Sequence, residues 1–371
     1  MSWQIAYLLG IATATLIFFF LKGKERVSKL ERGKNNDSRK AISNAIEYRL
    51  SMGPFIVALG GGTGLSTLLR GLKAFTRNIT AIVTVTDEGG SSGRLKHEWG
   101  VLPPGDVRNC IVALAENDNS LKNLLDFRFD RGELRGHSLG NLMLLAVTEL
   151  HGDFRSGVEE MNHLLAIRGK VLPVTTEVVS LLGEDSDGNV FKGELEISAN
   201  GNKLCNIHLD PPDVRPLPDV LRAISDADLI VLGPGSLFTS VIPNLLVPHV
   251  ARKILESNAP IVYVANLMTQ PNETENMSLL EHVRWVARAL GAWPGFVVVN
   301  DGPIDDSLLA RYSLDAADPL FLSPEEEALI RSQGCEIIRG NFVRILDGSL
   351  IRHDGQALSE TLMRIQRNSR E

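Results

Sequence analysis

The sequence predicts an α/β fold, a Rossmann-like wound, mostly parallel sheet with helices on both faces. From Pro54 onward, short apolar runs alternate with helical patterns, and this alternation is typical of parallel sheets. Small and polar residues directly follow five of these runs. Because ligands of wound sheets bind beyond the carboxyl ends of the strands, the five loops predict one shared pocket. The alternative is that each loop is an ordinary strand-to-helix turn, because such turns are commonly polar and rich in glycine.

Composition narrows the class of protein. The chain has 371 residues, of which 44% are hydrophobic and 22% are charged, as is typical of a globular protein. Its three cysteines are far apart and form no Cys-x-x-Cys pair. This argues against a disulfide framework and a thiolate zinc site, and it favours a reducing compartment. Residues 41–371 hold 30 basic and 42 acidic residues, a net charge of −12, so nucleic acid is not the expected partner.

The N-terminal segment has the pattern of a membrane anchor. Residues 3–21 carry no charge, and as a helix they would extend about 28 Å, close to the hydrocarbon thickness of a bilayer. Eight basic and three acidic residues follow within 22–40. We therefore predict a transmembrane helix within 1–21, a basic tether over 22–52 and a cytoplasmic domain over 53–371. The alternatives are a buried core helix and a cleaved signal peptide, although a signal peptide carries its positive charges before the apolar run.

A glycine-rich segment follows the first predicted strand. This strand, Phe55–Leu59, leads into Gly60–Gly64, which opens a helix over Leu65–Phe75. Glycines let a ligand approach the backbone, and the N-terminus of a helix favours negative charge. The segment lacks the Gly-Lys-Ser/Thr of a P-loop and the third glycine of G-x-G-x-x-G. It therefore predicts a phosphate contact, with a plain tight turn as the alternative.

The second predicted strand, Ile79–Thr86, ends at Asp87. An acidic residue at this place in a dinucleotide-binding half can bind a ribose hydroxyl, and a carboxylate that caps the turn is the alternative. Gly89–Gly93 follows, and together with Arg94 it predicts a second anion site. Arg94 and Arg108 are candidate phosphate clamps, because a guanidinium binds phosphate at two points; the alternative for each is a plain surface arginine.

Helical patterns continue from Asp106 to about Gly169. Asp106 is predicted to be the N-cap of the first of these helices. That assignment places Asn109 in the first turn, near any ligand bound there.

The segment Gly136–Gly140 matches the G-x-S-x-G motif of hydrolases. The motif requires a strand immediately before the serine, and no strand pattern precedes Ser138. We therefore interpret His137 and Asn141 as residues that open a helix toward the pocket, and we keep a serine hydrolase only as an alternative. The other histidines have no ligand spacing, so no metal site is predicted.

The remaining segments complete the fold. Residues 171–210 have the pattern of a small antiparallel β excursion, with turns at Asp187–Asn189 and Asn200–Asn202. Covering helices are predicted over Leu217–Ser225, Ser278–Leu290 and Ala357–Ile365. Three further strands are each followed by a polar loop: Leu229–Leu232 by Gly233–Ser236, Ile261–Ala265 by Asn266–Gln270, and Phe296–Val299 by Asn300–Gly302.

Tyr263 lies near the end of one of these strands. A tyrosine can stack on a ring and form a hydrogen bond through its hydroxyl. Burial of Tyr263 under a helix is the alternative.

Six segments together carry a family resemblance: VALGGGTGLSTLLRGLK, TAIVTVTDEGGSSGRLK, LPPGDVRNCIVALA, LRGHSLGNLML, IVLGPGSLFTSVIPNLLV and VYVANLMTQPNET. They resemble the gluconeogenesis factor family (YvcK-type), which belongs to the CofD-like superfamily of 2-phospho-L-lactate transferases. The resemblance extends from about residue 54 to about residue 320. One departure is Glu88, where the family pattern Asp-Asp-Gly-Gly-Ser-Ser-Gly has its second aspartate.

The resemblance implies a domain that binds a UDP-sugar such as UDP-N-acetylglucosamine. The implied role is that of a regulatory factor, without established catalysis, in carbon metabolism and in cell-shape or envelope morphogenesis. The transferase relatives imply the alternative, transfer of a phosphoryl-linked group from a nucleotide carrier with Mg²⁺. The expected partners are a nucleotide sugar and, through the N-terminal helix, the cytoplasmic membrane; a homo-oligomer is compatible with the sequence. The extra methylene of Glu88 leaves the geometry of a metal or ribose contact there open.

The predicted site combines these assignments. The glycine loops are expected to hold the diphosphate, Asp87 a ribose or sugar hydroxyl, and Tyr263 with Asn266 a ring or sugar edge. The complete predicted ligand site is Gly61, Gly62, Thr63, Gly64, Asp87, Ser91, Ser92, Arg94, Arg108, Asn109, His137, Asn141, Gly233, Pro234, Gly235, Ser236, Tyr263 and Asn266.

Overall fold

A seven-stranded parallel sheet forms the centre of the fold. The computed structural model describes residues 43–116 and 119–370. The strands within these ranges are β1 (Ile56–Gly60), β2 (Ile79–Val83), β3 (Lys170–Pro173), β4 (Ser180–Asp185), β5 (Val190–Lys192), β6 (Leu204–Asp210), β7 (Leu229–Leu232), β8 (Ile261–Val264), β9 (Phe296–Asn300), β10 (Glu336–Gly340), β11 (Val343–Leu346) and β12 (Leu350–His353).

The strand order in the central sheet is β10-β9-β8-β7-β1-β2-β3, and every pair of neighbours is parallel. The chain moves outward from β1 to β3 in one direction and then from β7 to β10 in the other. Right-handed crossovers that run in opposite directions place their helices on opposite faces of the sheet. The order reverses between β1 and β7, and a crevice opens at such a point beyond the carboxyl ends of the strands.

Helices connect most of these strands. Their bounds are α1 (43–51), α2 (Gly62–Leu72), α3 (Gly90–Trp99), α4 (Gly105–Leu114), α5 (Asn119–Asp126), α6 (Leu139–His151), α7 (Phe154–Leu164), α8 (Glu194–Asn200), α9 (Pro218–Ser225), α10 (Ile242–Leu246), α11 (Val250–Leu255), α12 (Leu279–Leu290), α13 (Asp306–Ser313), α14 (Pro324–Ser332) and α15 (Gly355–Asn368). A 3₁₀ turn covers Gly201–Lys203, and a π turn over Leu237–Val241 leads into α10.

Side-chain caps explain where several helices begin. The Ser278 side chain accepts the Glu281 N–H at 3.3 Å, and the Glu281 carboxylate accepts the Ser278 N–H at 2.7 Å. This reciprocal capping box satisfies two N–H groups at the start of α12. Ser323 and Glu326 form the same arrangement at the start of α14. The helix predicted over residues 278–290 is confirmed, and its buried face contains Leu279, Leu280, His282, Val283, Val286, Ala287 and Leu290.

The central strands are buried because helices cover both faces of the sheet. All five residues of β1 and all four of β7 are buried. A strand of this kind has a continuous apolar run rather than an alternating pattern. The five strands predicted from such runs are therefore confirmed, although β2 ends at Val83 rather than at Thr86.

The antiparallel excursion is present but begins later than predicted. The segment Lys170–Pro173 belongs to the central sheet, where β3 pairs with β2 in parallel. The excursion proper is a three-stranded antiparallel sheet in the order β5-β4-β6. Its first turn is confirmed at Asp187–Asn189, where the Asp185 carboxylate accepts two backbone N–H groups. The second predicted turn is instead the end of helix α8 followed by the 3₁₀ turn.

The N-terminal predictions fall mostly outside the described residues. The predicted anchor within 1–21 and residues 22–42 of the predicted tether lie there, while residues 43–51 form α1. Within the ranges that the structure covers, none of the helices combines the length and the apolar character needed to span a bilayer.

Candidate functional site

A cleft of about 410 Å³ lies at the carboxyl ends of β1, β7 and β8, where the strand order reverses. Its volume falls within the range typical of small-ligand sites. The segments that follow these three strands form one wall. Eight of the predicted residues line that wall: Gly61, Gly62, Thr63, Gly64, Pro234, Gly235, Ser236 and Asn266. The structure thus brings three of the five polar loops together.

Backbone geometry requires glycine at two positions in the segment after β1. Gly62 has a φ angle of +62°, in the left-handed region that favours glycine. A Cβ atom on Gly64 would lie 2.7 Å from the carbonyl oxygen of Pro234, so the loops after β1 and β7 touch through bare backbone. One side of the cleft therefore consists of peptide groups at the start of α2, where a ligand can approach the backbone closely.

A carboxyl group of the chain itself fills the N-terminus of the helical segment after β7. The Phe238 N–H donates to Glu273 Oε1 at 3.0 Å, and the Ser236 hydroxyl donates to the same atom at 2.5 Å. Glu273 is only 3% exposed, and burial raises the pKa of its carboxyl group. The Ser236 hydroxyl thus serves an internal contact, and this helix end is not where we expect a phosphate.

A second wall of the cleft comes from the C-terminal part of the chain, which our sequence predictions missed. Tyr312 of α13 and Ile351, Arg352 and His353 of β12 line it. Arg352 is the only arginine or lysine among the described lining residues, and its Nη1 donates to the Ile351 carbonyl at 2.8 Å. Burial lowers the pKa of His353 to about 4, so its imidazole is neutral at pH 7.

The residues predicted around the second anion site form a separate, mostly buried cluster. Asn141 Nδ2 donates to Ser91 Oγ at 3.1 Å, and Ser91 Oγ lies 3.0 Å from His137 Nδ1. Arg108 Nε donates to Asn141 Oδ1 at 3.2 Å, and its Nη1 donates to Asp126 Oδ1 at 2.7 Å. Arg108 is 6% exposed. Its guanidinium is therefore committed to internal partners, which does not fit the predicted role of a phosphate clamp.

The loop after β2 also uses its polar groups internally. The Gly89 N–H donates to Asp87 Oδ1 at 2.8 Å, so Asp87 has the turn-capping contact that was the alternative to a ribose contact. Arg94 Nη2 donates to the Arg135 carbonyl at 2.7 Å. Ser92 is buried, whereas Asn109 is partly exposed on α4.

Three carboxyl groups lie close together beside the glycine-rich segment. Asp106 is not the predicted N-cap: α4 begins at Gly105, and the Asp106 carboxylate accepts a hydrogen bond from the Gly62 N–H of α2. Burial and the neighbouring charge of Asp87 raise the pKa of Asp106 to about 7. Burial and Asp87 likewise raise the pKa of Glu194, at the start of α8, to about 8. An anion bound at Gly62 would therefore be sensitive to the protonation of the Asp106 carboxyl group.

Glu88, the departure from the family pattern, links the loop after β2 to the N-terminus of α8 through hydrogen bonds. The Glu88 N–H donates to Glu194 Oε2 at 2.7 Å, and the Glu194 N–H donates to Glu88 Oε2 at 3.2 Å. Lys96 Nζ lies 3.0 Å from Glu88 Oε1. A Cβ on Gly193 would overlap Glu88 Oε2, so the longer side chain extends over the backbone of the α8 N-terminus. The extra methylene therefore serves a structural contact.

We expect Glu194→Gln to flatten the pH dependence of stability. The pKa of Glu194 is about 8 in the folded protein and 4.5 ordinarily, so the folded state binds more protons than the unfolded state between these values. The wild-type free energy of unfolding therefore falls as the pH rises from about 4.5 to about 8. Glutamine has the shape of the neutral acid but does not titrate. In urea unfolding measured from pH 5 to pH 9, the free energy of unfolding of the variant should therefore fall less steeply with pH than that of wild type.

The matched control for this prediction is Glu196→Gln, which removes an exposed carboxylate from the same turn of α8. It should leave the wild-type slope in place. Equal slopes in wild type and Glu194→Gln would show that Glu194 is already ionised in the folded protein at these pH values and that its pKa is not raised.

Two further residues of the sequence analysis are buried. Tyr263 is 1% exposed and packs in the core of the sheet, and burial raises the pKa of its hydroxyl. It does not line the cleft, so the predicted stacking role does not fit its position. Ser138 is completely buried and N-caps α6 by accepting the Asn141 N–H at 3.3 Å. It is not an exposed nucleophile, which removes the structural basis of the hydrolase alternative.

A larger cleft, of about 610 Å³, borders the edge strand β3 and α7. None of the predicted ligand residues lines it, and it does not lie at the reversal of strand order, where wound sheets bind their ligands. We therefore place the candidate site in the smaller cleft. In the part of the chain that the structure covers, no three His, Cys, Asp or Glu side chains are arranged to hold a metal ion.

Comparison with known proteins places this architecture in a family. The model of the 2-phospho-L-lactate transferase CofD family matches residues 56–343. The chain is 45% identical over 312 residues to the gluconeogenesis factor of Halalkalibacterium halodurans, which covers 83% of this chain and 95% of that protein. The chain belongs to the gluconeogenesis factor family, within the CofD-like superfamily.

A second relative and a solved structure agree with this assignment. The gluconeogenesis factor of Bacillus subtilis is 43% identical over 314 residues, which is 84% of this chain and 97% of that protein. A crystal structure of a Bacillus halodurans protein superposes with a TM-score of 0.80 at 43% identity, covering 84% of this chain and 99% of that chain. The CofD match ends at Val343, so the β12 residues of the cleft lie beyond the part shared with the transferase family.

Proposed function

We propose that this chain is a UDP-sugar-binding regulatory protein of the gluconeogenesis factor family, acting in carbon metabolism and in cell-envelope morphogenesis. The observation that carries the proposal is the composition of the cleft, which glycine backbone at the start of α2 and the side chain of Arg352 line together. Backbone N–H groups at a helix N-terminus and a guanidinium are the groups that bind a diphosphate. The names of the relatives support the link to carbon metabolism.

Titration calorimetry on the full chain in mild detergent tests this proposal. UDP-N-acetylglucosamine and UDP should both bind, because both carry the diphosphate that the backbone N–H groups and Arg352 would hold. Free N-acetylglucosamine should not bind detectably. Absence of heat with both nucleotides, in a protein shown to be folded by circular dichroism, would refute UDP-sugar binding.

A transferase is the second candidate, because the family model that matches residues 56–343 describes 2-phospho-L-lactate transferase. Incubation with UDP-sugar and Mg²⁺, followed by chromatography for released UDP or UMP, separates the two functions. Sustained release at more than one equivalent per protein chain would favour the transferase.

We also propose that residues 3–21 anchor the protein to the cytoplasmic membrane with the domain on the cytoplasmic side. The uncharged run and the eight basic residues that follow it support this arrangement. Cell fractionation should recover the full chain with the membranes, and a chain that lacks residues 1–40 in the soluble fraction. A full chain recovered in the soluble fraction would contradict the anchor.

A further inference from the structure

Asn244 of α10 does not line the cleft, but its side chain contacts the backbone of two segments at the cleft wall. Its amide Nδ2 donates to the Gly60 carbonyl at 3.1 Å and to the Ser240 carbonyl at 2.8 Å. Gly60 ends β1, and Ser240 lies in the π turn after β7. Because Gly61 and Ser240 both line the cleft, Asn244 joins the segment after β1 to the segment after β7.

The contacts of the Asn244 side chain are made at a cost. Asn244 is completely buried, and its Oδ1 has no hydrogen-bond partner among the described residues. A buried acceptor without a partner is destabilising, and such a group in a native structure calls for an explanation. The two carbonyl contacts supply one, because a side chain without two N–H donors could not make both of them.

The contact with Gly60 fixes the direction of the next backbone N–H group. The Gly60 carbonyl points to the β2 side of β1, where it also accepts the Thr84 N–H at 3.4 Å. The peptide bond between Gly60 and Gly61 is trans, and the C=O and N–H of a planar trans peptide point in opposite directions. The Gly61 N–H therefore points to the β7 side of β1, toward the loop after β7 that lines the cleft.

This N–H group is available to a ligand, but the backbone around it is intrinsically flexible. Among the described residues, none accepts a hydrogen bond from the Gly61 N–H, whereas the Gly62 N–H already donates to the Asp106 carboxylate. Gly60–Gly62 has no Cβ atoms, so its backbone can adopt several conformations at little steric cost. A peptide group between two glycines keeps one direction only when something else holds it.

We propose that Asn244 is a positioning residue, which holds the Gly60 carbonyl so that the Gly61 N–H is directed at the diphosphate of the ligand. This proposal rests on the proposed UDP-sugar function and adds how the chain orients a donor for the phosphate oxygens. A backbone N–H held in advance binds a phosphate without the loss of conformational freedom that ordering a glycine segment would require. The contact with Ser240 fixes the same amide to the other segment, so the two walls keep their separation.

Two substitutions of Asn244 test this role by titration calorimetry on the full chain in mild detergent. Asn244→Ala removes both contacts, and we expect it to weaken binding of UDP and of UDP-N-acetylglucosamine roughly tenfold, as for the loss of one hydrogen bond to a charged group. A serine hydroxyl can donate to the carbonyl four residues before it, so Asn244→Ser keeps a contact with Ser240 but not with Gly60. It should weaken both ligands to a similar extent. Uridine, which has no phosphate, should bind equally to wild type and both variants.

The matched control is Asn162→Ala. Asn162 Nδ2 donates to the Val171 carbonyl of β3 at 3.3 Å, and its Oδ1 is likewise buried without a partner among the described residues. The control thus loses the same kind of contact between an amide and a strand carbonyl. Asn162 does not line the candidate cleft, so this variant should bind UDP as wild type does. Circular dichroism and melting temperatures establish that the variants are folded.

Phosphorus NMR of bound UDP gives a readout that a loss of stability alone would not move. At saturating UDP, the phosphorus signals of the wild-type complex should differ from those of free UDP. In both Asn244 variants this difference should be smaller, because one N–H donor is no longer directed at the diphosphate. Saturation removes the effect of weaker affinity on the signal, and Asn162→Ala should give the wild-type signals.

The outcomes distinguish the role of Asn244 from the function itself. Wild-type UDP affinity and phosphorus signals in a folded Asn244 variant would overturn the positioning role while leaving UDP-sugar binding intact. An equal loss of affinity for uridine and for UDP would show that Asn244 only supports the fold, which also overturns the proposal. Should Asn244→Ala not fold, Asn244→Ser decides. If wild type binds neither UDP nor UDP-N-acetylglucosamine, the proposed function fails, and the proposal for Asn244 fails with it.

Discussion

Gly71→Ala is expected to destabilise the domain by about 3 kcal/mol, at the upper end of what added volume costs in a packed core. A Cβ on Gly71 of α2 would overlap the carbonyl oxygen of Gly355 and the hydroxyl of Ser359, both on α15. From the other side, a Cβ on Gly355 would overlap the carbonyl oxygen of Thr67 on α2. The two helices therefore meet backbone to backbone, and a methyl group forces one of them to move.

Urea unfolding at constant pH measures this effect. Gly295→Ala is the control, because a Cβ there would lie 3.6 Å from the Ile261 carbonyl oxygen, an ordinary contact distance, at a backbone conformation open to other residues. The control should change the free energy of unfolding by less than about 1 kcal/mol, as is usual where no clash or strain arises. If Gly71→Ala unfolds at the same urea concentration as the control, the close approach of α2 and α15 is wrong.

The contact between α2 and α15 also bears on the site. Helix α2 begins at the glycine-rich segment, and α15 begins directly after β12, which carries Arg352 and His353. The same helix pair therefore fixes the separation of the two walls of the cleft. A variant that shifts α15 should change ligand affinity as well as stability, although neither Gly71 nor Gly355 lines the cleft.

The fold could be predicted where buried strands leave a continuous apolar run. The runs that became β1, β2, β7, β8 and β9 were visible because helices cover both faces of these strands. The edge strands β3 and β10 were missed. Strand β3 has four residues and ends at Pro173, and only Ile337 of the five residues of β10 is buried. A strand at the edge of a sheet has fewer buried neighbours, so its sequence is less constrained to be apolar.

The hairpin of β11 and β12 had a signal that our sequence analysis did not use. Asp347-Gly348 lies between the runs Val343–Leu346 and Leu350–His353, and Asp-Gly between two such runs is a strong hairpin pattern. That pattern predicts the hairpin but not its position. The packing of α15 on α2 brings β12 to the cleft, and this contact joins residues about 290 positions apart, beyond what local patterns report.

The site residues also differ in how well their positions could be predicted from the sequence. The glycines after β1 and β7 were predictable, since the conformation of Gly62 and the close approach at Gly64 exclude larger side chains. Tyr263 and Tyr312 could not be told apart by residue type. Tyr263 lies in a central parallel strand, whose residues are buried on either face, whereas Tyr312 lies on a surface helix beside the cleft. Asp106 had the sequence position of a cap, but its carboxylate contacts a different helix.

Arg352→Ala is expected to weaken the binding of UDP-N-acetylglucosamine and of UDP by roughly 10- to 100-fold. Charge-assisted hydrogen bonds contribute about 1.5–3 kcal/mol, which corresponds to this range of affinity. Within the described residues, Arg352 lines the cleft without an ion pair to any carboxylate, so none of these carboxylates neutralises its charge. Its Nη1 contact with the Ile351 carbonyl holds the guanidinium at the cleft wall before a ligand binds. Calorimetry on the full chain measures the change.

Uridine provides the internal comparison for Arg352→Ala, because it carries the base and ribose of the ligand without its phosphates. Its affinity should be the same in wild type and variant if Arg352 binds the diphosphate. Arg344→Ala removes the arginine that lies opposite Arg352 on the same hairpin but does not line the cleft, and it should bind UDP as wild type does. Arg352→Lys should recover part of the affinity, since an ammonium keeps the charge but not the two-point geometry. Equal UDP affinities in wild type and folded Arg352→Ala would show that Arg352 does not bind the diphosphate. The proposal of UDP-sugar binding would then lose the observation on which it rests.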